Sequence, residues 1–515
     1  MTNLDFIKKL YNGKNCYSDH MGDDEIGLLH ISSNAESIII DMVKKGKIVF
    51  LTGNPGDGKT FLIKTIIDEL NECNTYVQTD LNNIKDYSKV VQDLVGCYNL
   101  GRSAVVAANE YPFIKLCKII KQHSEELFQD IQSARRSSIT YGVSEDLVRR
   151  VSIVDLNERN LLSGKNSNIT EELLEKITSL LKSEQCYDNV INYNLKALEK
   201  DEVKAQFLSM FELAAAQCEH FAVRDILGAL SFILTSGASE EYDGNKYYSA
   251  MFMKANRLLE VVSEFDPVYL SSPSIDEKLW NGEIKEGWLI EAPEKWPCDP
   301  AFDADVSGAL ECFKDIKRRY YFEHRDGGSL ADLQPSEIKV SIDTFINFES
   351  QKKKIKEDII KSINKIFLPS LDDKKQLHIW TTHRYDISSD AAVAVSSKAV
   401  DSSELDIYIP KPAKWLSGLE YCPTHLLLAP KGEIKPALFL DTEFLRTLDS
   451  IKNGYPVALL SPRYEQAASL FLQQLSDLGY AENNDDGEII IASRNKSYKK
   501  TIIIQDGKYD FEEDE

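Results

Sequence analysis

Residues Gly53-Asn54-Pro55-Gly56-Asp57-Gly58-Lys59-Thr60 decide the reading of this chain. They fit the pattern G-x-x-x-x-G-K-[ST] at every fixed position. The stretch before them, Lys47-Ile48-Val49-Phe50-Leu51-Thr52, is a short apolar, β-branched run and predicts a buried parallel strand. The stretch after them, Phe61 to Leu70, carries apolar residues at helical spacing. Strand, glycine loop and helix form the context in which this pattern cradles phosphate.

Each residue of the loop has a physical task. Gly53, Gly56 and Gly58 let the main chain come close to a phosphate without a Cβ in the way. N–H groups along Asn54, Asp57 and the turn into Phe61 then point at the anion, with Pro55 shaping the turn. Lys59 places a point charge on the β- and γ-phosphates, and the Thr60 hydroxyl is suited to ligate Mg²⁺. The expected cofactors are therefore ATP and Mg²⁺.

Hydrolysis needs more than a cradle. A carboxylate must orient the attacking water, and polar groups must sense the γ-phosphate. Ser103 to Ala108 reads as a strand leading into Asn109-Glu110, which makes Glu110 the candidate base. Asn109 takes the place of an acid beside it and would hold Mg²⁺ only through water. Asp80, closing the strand-like Thr75 to Asp80, is the rival acid on the metal side. Val151 to Asp155 predicts a fourth strand, and Asn157 just beyond it suits a γ-phosphate sensor, with Asp155 as the alternative. Arg224, at the start of the helix Phe221-Ala222-Val223-Arg224-Asp225-Ile226-Leu227, is placed to reach back to the same phosphate. Arg318 and Arg319 sit among aromatics, where a structural cation–π or ion-pair role outweighs donation to a neighbouring subunit. A metal site at His378, His383 and Asp386 is disfavoured, because positions 378 and 383 of one strand face opposite sides.

Strands alternating with helical stretches predict an α/β core with a parallel sheet and helices on both faces. Three regions follow from the changes of pattern: a nucleotide-binding core over 1–168, a helical lid and connector over 169–335, and a C-terminal α/β or α+β domain over 336–515. Residues 265–308 are rich in proline and tryptophan and read as irregular. The close, Asp510 to Glu515, reads as a frayed acidic tail.

The 515 residues include 60 Lys and Arg against 82 Asp and Glu, a net charge of −22. That balance argues against broad binding to nucleic acid and leaves room only for a local basic groove. Arg135, Arg136, Arg149, Arg150 and the run Lys352-Lys353-Lys354 are its candidates. The nine cysteines include no C-x-x-C pair, which argues against a zinc ribbon. No signal peptide or membrane-length apolar run is written in the sequence, so a cytoplasmic setting is expected.

The order of these pieces resembles the AAA+ class of P-loop ATPases. Within it, the chain is similar to the ATPase component of the DNA-phosphorothioation-dependent restriction systems of bacteria. The matching stretches are Gly56 to Thr60, Ala107-Ala108-Asn109-Glu110, Val223 to Leu227, Lys317 to Phe322, and Phe439 to Leu445 followed by Gly454. Where that family tends to carry an acidic cluster after the second strand, this chain has Asp80-Leu81-Asn82-Asn83. The resemblance implies an AAA+-like P-loop NTPase with a helical lid. It also implies a place in antiviral defence beside nuclease- or helicase-type subunits that act on DNA. A homo-oligomer stays open. Two functions follow: an ATP-hydrolysing subunit of such a complex, or a nucleotide-dependent signalling or scaffold protein with weak hydrolysis, which Asn109 favours.

Overall fold

The computed structural model describes all of the chain except residues 1, 12–22, 83, 140–149, 163–166, 184–189, 216–219, 237–243, 334–343, 346–347, 382–391, 410–418, 421–423, 434, 460, 485–488, 494–499, 506–507 and 514–515. The chain forms two compact units. The first is Met1–Gln334 together with Pro412–Cys422, and the second is Pro335–Lys411 together with Pro423–Glu515.

The first unit opens with helices α1 (Asn3–Tyr11), α2 (Asp23–Leu29) and α3 (Asn34–Lys44). Its sheet is built from β1 (Ile48–Thr52), β2 (Tyr76–Gln78), β3 (Ala104–Ala107) and β4 (Val151–Asp155). The strands run in the order β2-β3-β1-β4, and every pairing is parallel. Between them lie α4 (Lys59–Thr65), α5 (Ile67–Glu72), α6 (Ser88–Leu100), α7 (Glu110–His123) and α8 (Glu125–Ile139).

All five residues of β1 are buried, because the sheet is covered on both faces. Ile48 and Phe50 point to one side, where they pack with α6, α7 and α8 through Leu94, Phe113, Leu116 and Ile131. Val49 and Leu51 point to the other, against Ile39 and Val43 of α3 and Leu62 and Ile63 of α4. The period of two along the strand thus separates two cores. The chain leaves β1 toward β2 on one side and later crosses to β4 on the other. That reversal opens a crevice at the C-terminal ends of the strands, where open α/β sheets bind ligands.

The helical stretch after β3 is divided between α7 and α8. Ser124 leaves helical geometry at φ −153° and ψ 102°, and its hydroxyl accepts from the Leu127 N–H at 3.3 Å, capping α8. The end of that stretch lies outside the described residues. Helices α9 (Ile169–Lys182), α10 (Val190–Leu198), α11 (Asp201–Ala215), α12 (Val223–Thr235), α13 (Tyr247–Ala250) and α14 (Arg257–Val262) follow. The proline-rich region is not wholly irregular: Pro273 starts α15 (Pro273–Trp280), where its missing N–H is no loss. Helices α16 (Val306–Glu323) and α17 (Leu330–Leu333) complete this part.

The second unit holds α18 (Phe348–Phe367), α19 (Thr442–Lys452) and α20 (Pro462–Asp477). Its strands are β5 (Gln376–Thr381), β6 (Ala392–Asp401), β7 (Leu405–Tyr408), β8 (His425–Pro430), β9 (Leu438–Asp441), β10 (Glu482–Asn483), β11 (Ile490–Ser493), β12 (Lys500–Gln505) and β13 (Lys508–Glu513). Every pairing here is antiparallel. β7-β8-β9 form one sheet, β6 carries β5, β10 and β11, and β12 pairs with β13. The acidic close is strand as far as Glu513: Phe511 sits opposite Ile502 and Glu512 opposite Thr501, and residues 514–515 lie outside the described residues. Among the described residues the longest strand is β6, which mixes alanine, serine and valine and carries little hydrophobic contrast. Among the described residues, no helix is long and apolar enough to cross a membrane.

Candidate functional site

A cavity of about 430 Å³ opens at the C-terminal end of β1. Its size falls in the range of small-molecule and cofactor sites, roughly 300–1,000 Å³. Its polar wall includes Lys59, Thr60, Asp80, Asn109, Arg159 and Arg224, and its apolar wall includes Leu29, Ile31, Phe61, Leu173 and Leu227.

The loop between β1 and α4 is held in a shape that needs glycine. Gly56 lies at φ 102°. A Cβ there would stand 3.2 Å from the Cβ and Nε of Arg224 and 3.3 Å from the Cβ of Ala222. Asp57 is turned inward and buried. Its Oδ2 accepts from the Asn54 N–H at 2.6 Å and its Oδ1 meets His220 Nε2 at 2.7 Å. Burial pushes the His220 pKa down, but the hydrogen bond and charge of Asp57, the main chain of Arg159 and the charge of Asp155 outweigh it and leave it raised.

Lys59 donates to the carbonyls of Gly53 and Asn54, each at 2.8 Å. Burial lowers the pKa of its ammonium, against the opposing charges of Asp57, Asp155 and Asp80. The Thr60 hydroxyl donates to the carbonyl of Thr79 at 3.3 Å, one residue before Asp80. Thr60 and Asp80 thus share one wall of the cavity, and a hydroxyl with a carboxylate is a donor set that suits Mg²⁺. Asp80 Oδ1 accepts from both the main-chain N–H and Nδ2 of Asn82, each at 2.8 Å.

Asn109 also lines the cavity and donates to Asn82 Oδ1 at 3.3 Å. Glu110 does not line it. Its side chain is 70% exposed and pairs with Arg135 at 3.2 Å. Its charge still acts on Asp155, whose carboxyl burial raises above its ordinary pKa, opposed by the Asn157 N–H and the Thr52 hydroxyl and reinforced by Asp57 and Glu110. Asn157 Oδ1 accepts from the Asn54 N–H at 3.1 Å, so Asn157 braces the loop itself.

Arg224 stands at the start of α12, where the Asp225 carboxylate accepts from the Ala222 N–H at 3.0 Å. Its own N–H donates to the Gly56 carbonyl at 3.2 Å, and its Nη2 to the Pro55 carbonyl at 3.4 Å. The helical region therefore touches the glycine loop directly at a cationic side chain. Two participants were not legible in the sequence. His220 meets Asp57 across 163 residues, and Arg159 meets Glu420 across 261. Neither pair leaves a local pattern.

The other candidates are engaged elsewhere. Arg318 makes a forked pair with the buried Asp266, closest at 2.7 Å, and Arg319 pairs with the fully buried Glu323 at 2.6 Å. These are internal struts of the helical region. His378 pairs with Asp373 at 3.1 Å, and His383 and Asp386 lie outside the described residues. Among the basic points, Arg150 donates to the carbonyls of Tyr98, Gly46 and Arg102, and Lys352 pairs with Asp406 at 2.8 Å. Arg149 and the side chain of Arg136 lie outside the described residues. No protein-family model, no curated protein and no solved structure matches the chain.

Proposed function

We propose that this chain is a P-loop ATPase of AAA+ type that binds ATP with Mg²⁺ at residues 53–61 and hydrolyses it. The observation that carries this reading is one cavity bounded by the glycine loop, Lys59 and Arg224 together. Lys59 and Arg224 supply positive charge where a polyphosphate would lie, and the apolar wall offers a face for a base. Thr60 and Asp80 would hold Mg²⁺, which supplies charge neutralisation between the β- and γ-phosphates. The chain's own part is to bind the phosphates, fix the metal's ligands and place Arg224 on the terminal phosphate. On the family resemblance, the complex it serves is a bacterial defence or restriction assembly with DNA-processing partners. Calorimetry tests the site: Lys59→Ala should lose most ATP affinity, and equal affinity in variant and wild type would sink the assignment.

A second reading has an observation of its own. Glu110 is not part of the cavity wall and pairs with Arg135, while the neutral Asn109 lines it. A site with an amide in that place binds ATP and turns it over slowly, as a switch or scaffold does. Steady-state turnover with and without DNA separates the two. Robust turnover favours the first reading, and tight binding with negligible turnover favours the second.

A further inference from the structure

Arg159 is buried and lines the same cavity as Lys59 and Arg224. Its Nε donates to Glu420 Oε2 at 2.7 Å, with the two side chains 7% and 8% exposed. Among the described residues, that is the one hydrogen bond its guanidinium makes. A guanidinium carries five N–H donors, so four, those on the two terminal nitrogens, remain for another acceptor. Glu420 is itself fixed. Its carbonyl accepts from the Asn160 N–H at 2.6 Å, and Leu419 beside it packs with Leu51, Leu62 and Leu156.

A buried ion pair is a poor stabiliser by itself, since desolvation of both charges offsets their attraction. A carboxylate that grips only Nε does something more specific. It fixes the plane of the guanidinium and leaves the fork of terminal nitrogens for a phosphate, the geometry that arginine matches and lysine does not. We propose that Arg159 contacts the terminal phosphate of the bound nucleotide, and that Glu420 is the positioning residue that aims it. This rests on the nucleotide reading above. The main chain and Lys59 also meet the β-phosphate, which a diphosphate keeps, whereas Arg159 meets only the terminal one, so Arg159 discriminates a triphosphate from a diphosphate.

The test is calorimetric titration of the full chain with Mg²⁺–ATP and Mg²⁺–ADP. Arg159→Lys keeps a cation and loses the fork. It should weaken ATP by about tenfold or more, the scale of a lost charge-assisted hydrogen bond, and leave ADP within about twofold. Glu420→Ala should weaken ATP in the same direction, and the double variant should lose no more than Arg159→Lys alone, because both changes remove one contact. If Glu420→Ala does not fold, Glu420→Gln replaces it: its amide oxygen keeps an acceptor for Nε, and ATP should then weaken less than in Arg159→Lys. Equal losses for ATP and ADP, or no loss of either, overturn the assignment and leave a structural strut. If the wild-type chain binds neither nucleotide, the nucleotide site itself falls and this inference falls with it. If it binds both and the variants keep its ATP-to-ADP ratio, only the role of Arg159 fails.

Discussion

Asp57 occupies a variable position of the glycine pattern, yet it is the residue that ties the loop together. One oxygen holds the Asn54 N–H and the other meets His220. This makes loop stability depend on pH. The folded pKa of His220 lies above its ordinary 6.5. The stabilisation is therefore fully present below about pH 6.5 and is lost as pH rises through the raised value. The melting temperature of the wild-type chain should fall between pH 6 and pH 8.5, and His220→Gln should flatten that fall. Parallel pH profiles for the two proteins would exclude the pair as its source. The carboxylates make a second residue-scale comparison. Asp80 lines the cavity and Glu110 does not, so Asp80→Asn should reduce turnover by on the order of a hundredfold, the scale of losing an essential charged group. Glu110→Gln should cost less. The reverse order in kcat would make Glu110, not Asp80, the carboxylate on which turnover depends. At this scale, Lys59, Thr60 and Arg224, which local patterns singled out in the sequence, line one cavity. Arg159 and His220 were not singled out, because their partners lie far along the chain and charge pairing over such distances has no period.

At the scale of elements, legibility followed hydrophobic contrast. β1 and β3 are buried along their length and β4 at four of its five residues, and all three read as largely apolar runs, interrupted in β4 by Ser152, so their positions emerged from the residues alone. β6 alternates small residues and β13 alternates acids with aromatics, and neither has the contrast that marks a strand. The contact between the glycine loop and α12 offers a prediction at this scale. Gly56→Ala and Gly101→Ala both place a Cβ at positive φ, 102° and 73°. Each should cost on the order of 1–2 kcal/mol of strain. They differ in surroundings: the new Cβ at Gly101 meets nothing within 4 Å, whereas the one at Gly56 presses on Arg224 and Ala222. Denaturant midpoints should fall in both variants, with the larger fall in Gly56→Ala. ATP affinity should fall only in Gly56→Ala. Equal affinity losses would mean that the loop and α12 are not coupled.

Over the whole molecule, the net charge of −22 sets the expectation for nucleic acid. Arg135 and Lys352, two of the most suggestive cations, are paired with carboxylates. Duplex DNA should therefore bind the isolated chain weakly, and the logarithm of the affinity should change with the logarithm of salt by a slope shallower than about −2, fewer than about three phosphates. A steep slope with tight binding at physiological salt would place a DNA surface on this chain. The expected regions also meet the molecule at an unexpected place. Residues 412–422 belong to the first compact unit although they interrupt the second, and they bring Glu420 to Arg159. That connection has a consequence in time. Arg159 leaves the ribosome 261 residues ahead of Glu420. At about 5–20 residues per second, roughly 13–52 s of synthesis separate the two. At the start of that interval the sheet and the glycine loop already exist as chain, and α12 joins them before Glu420 is made, while the Arg159 guanidinium still awaits its carboxylate.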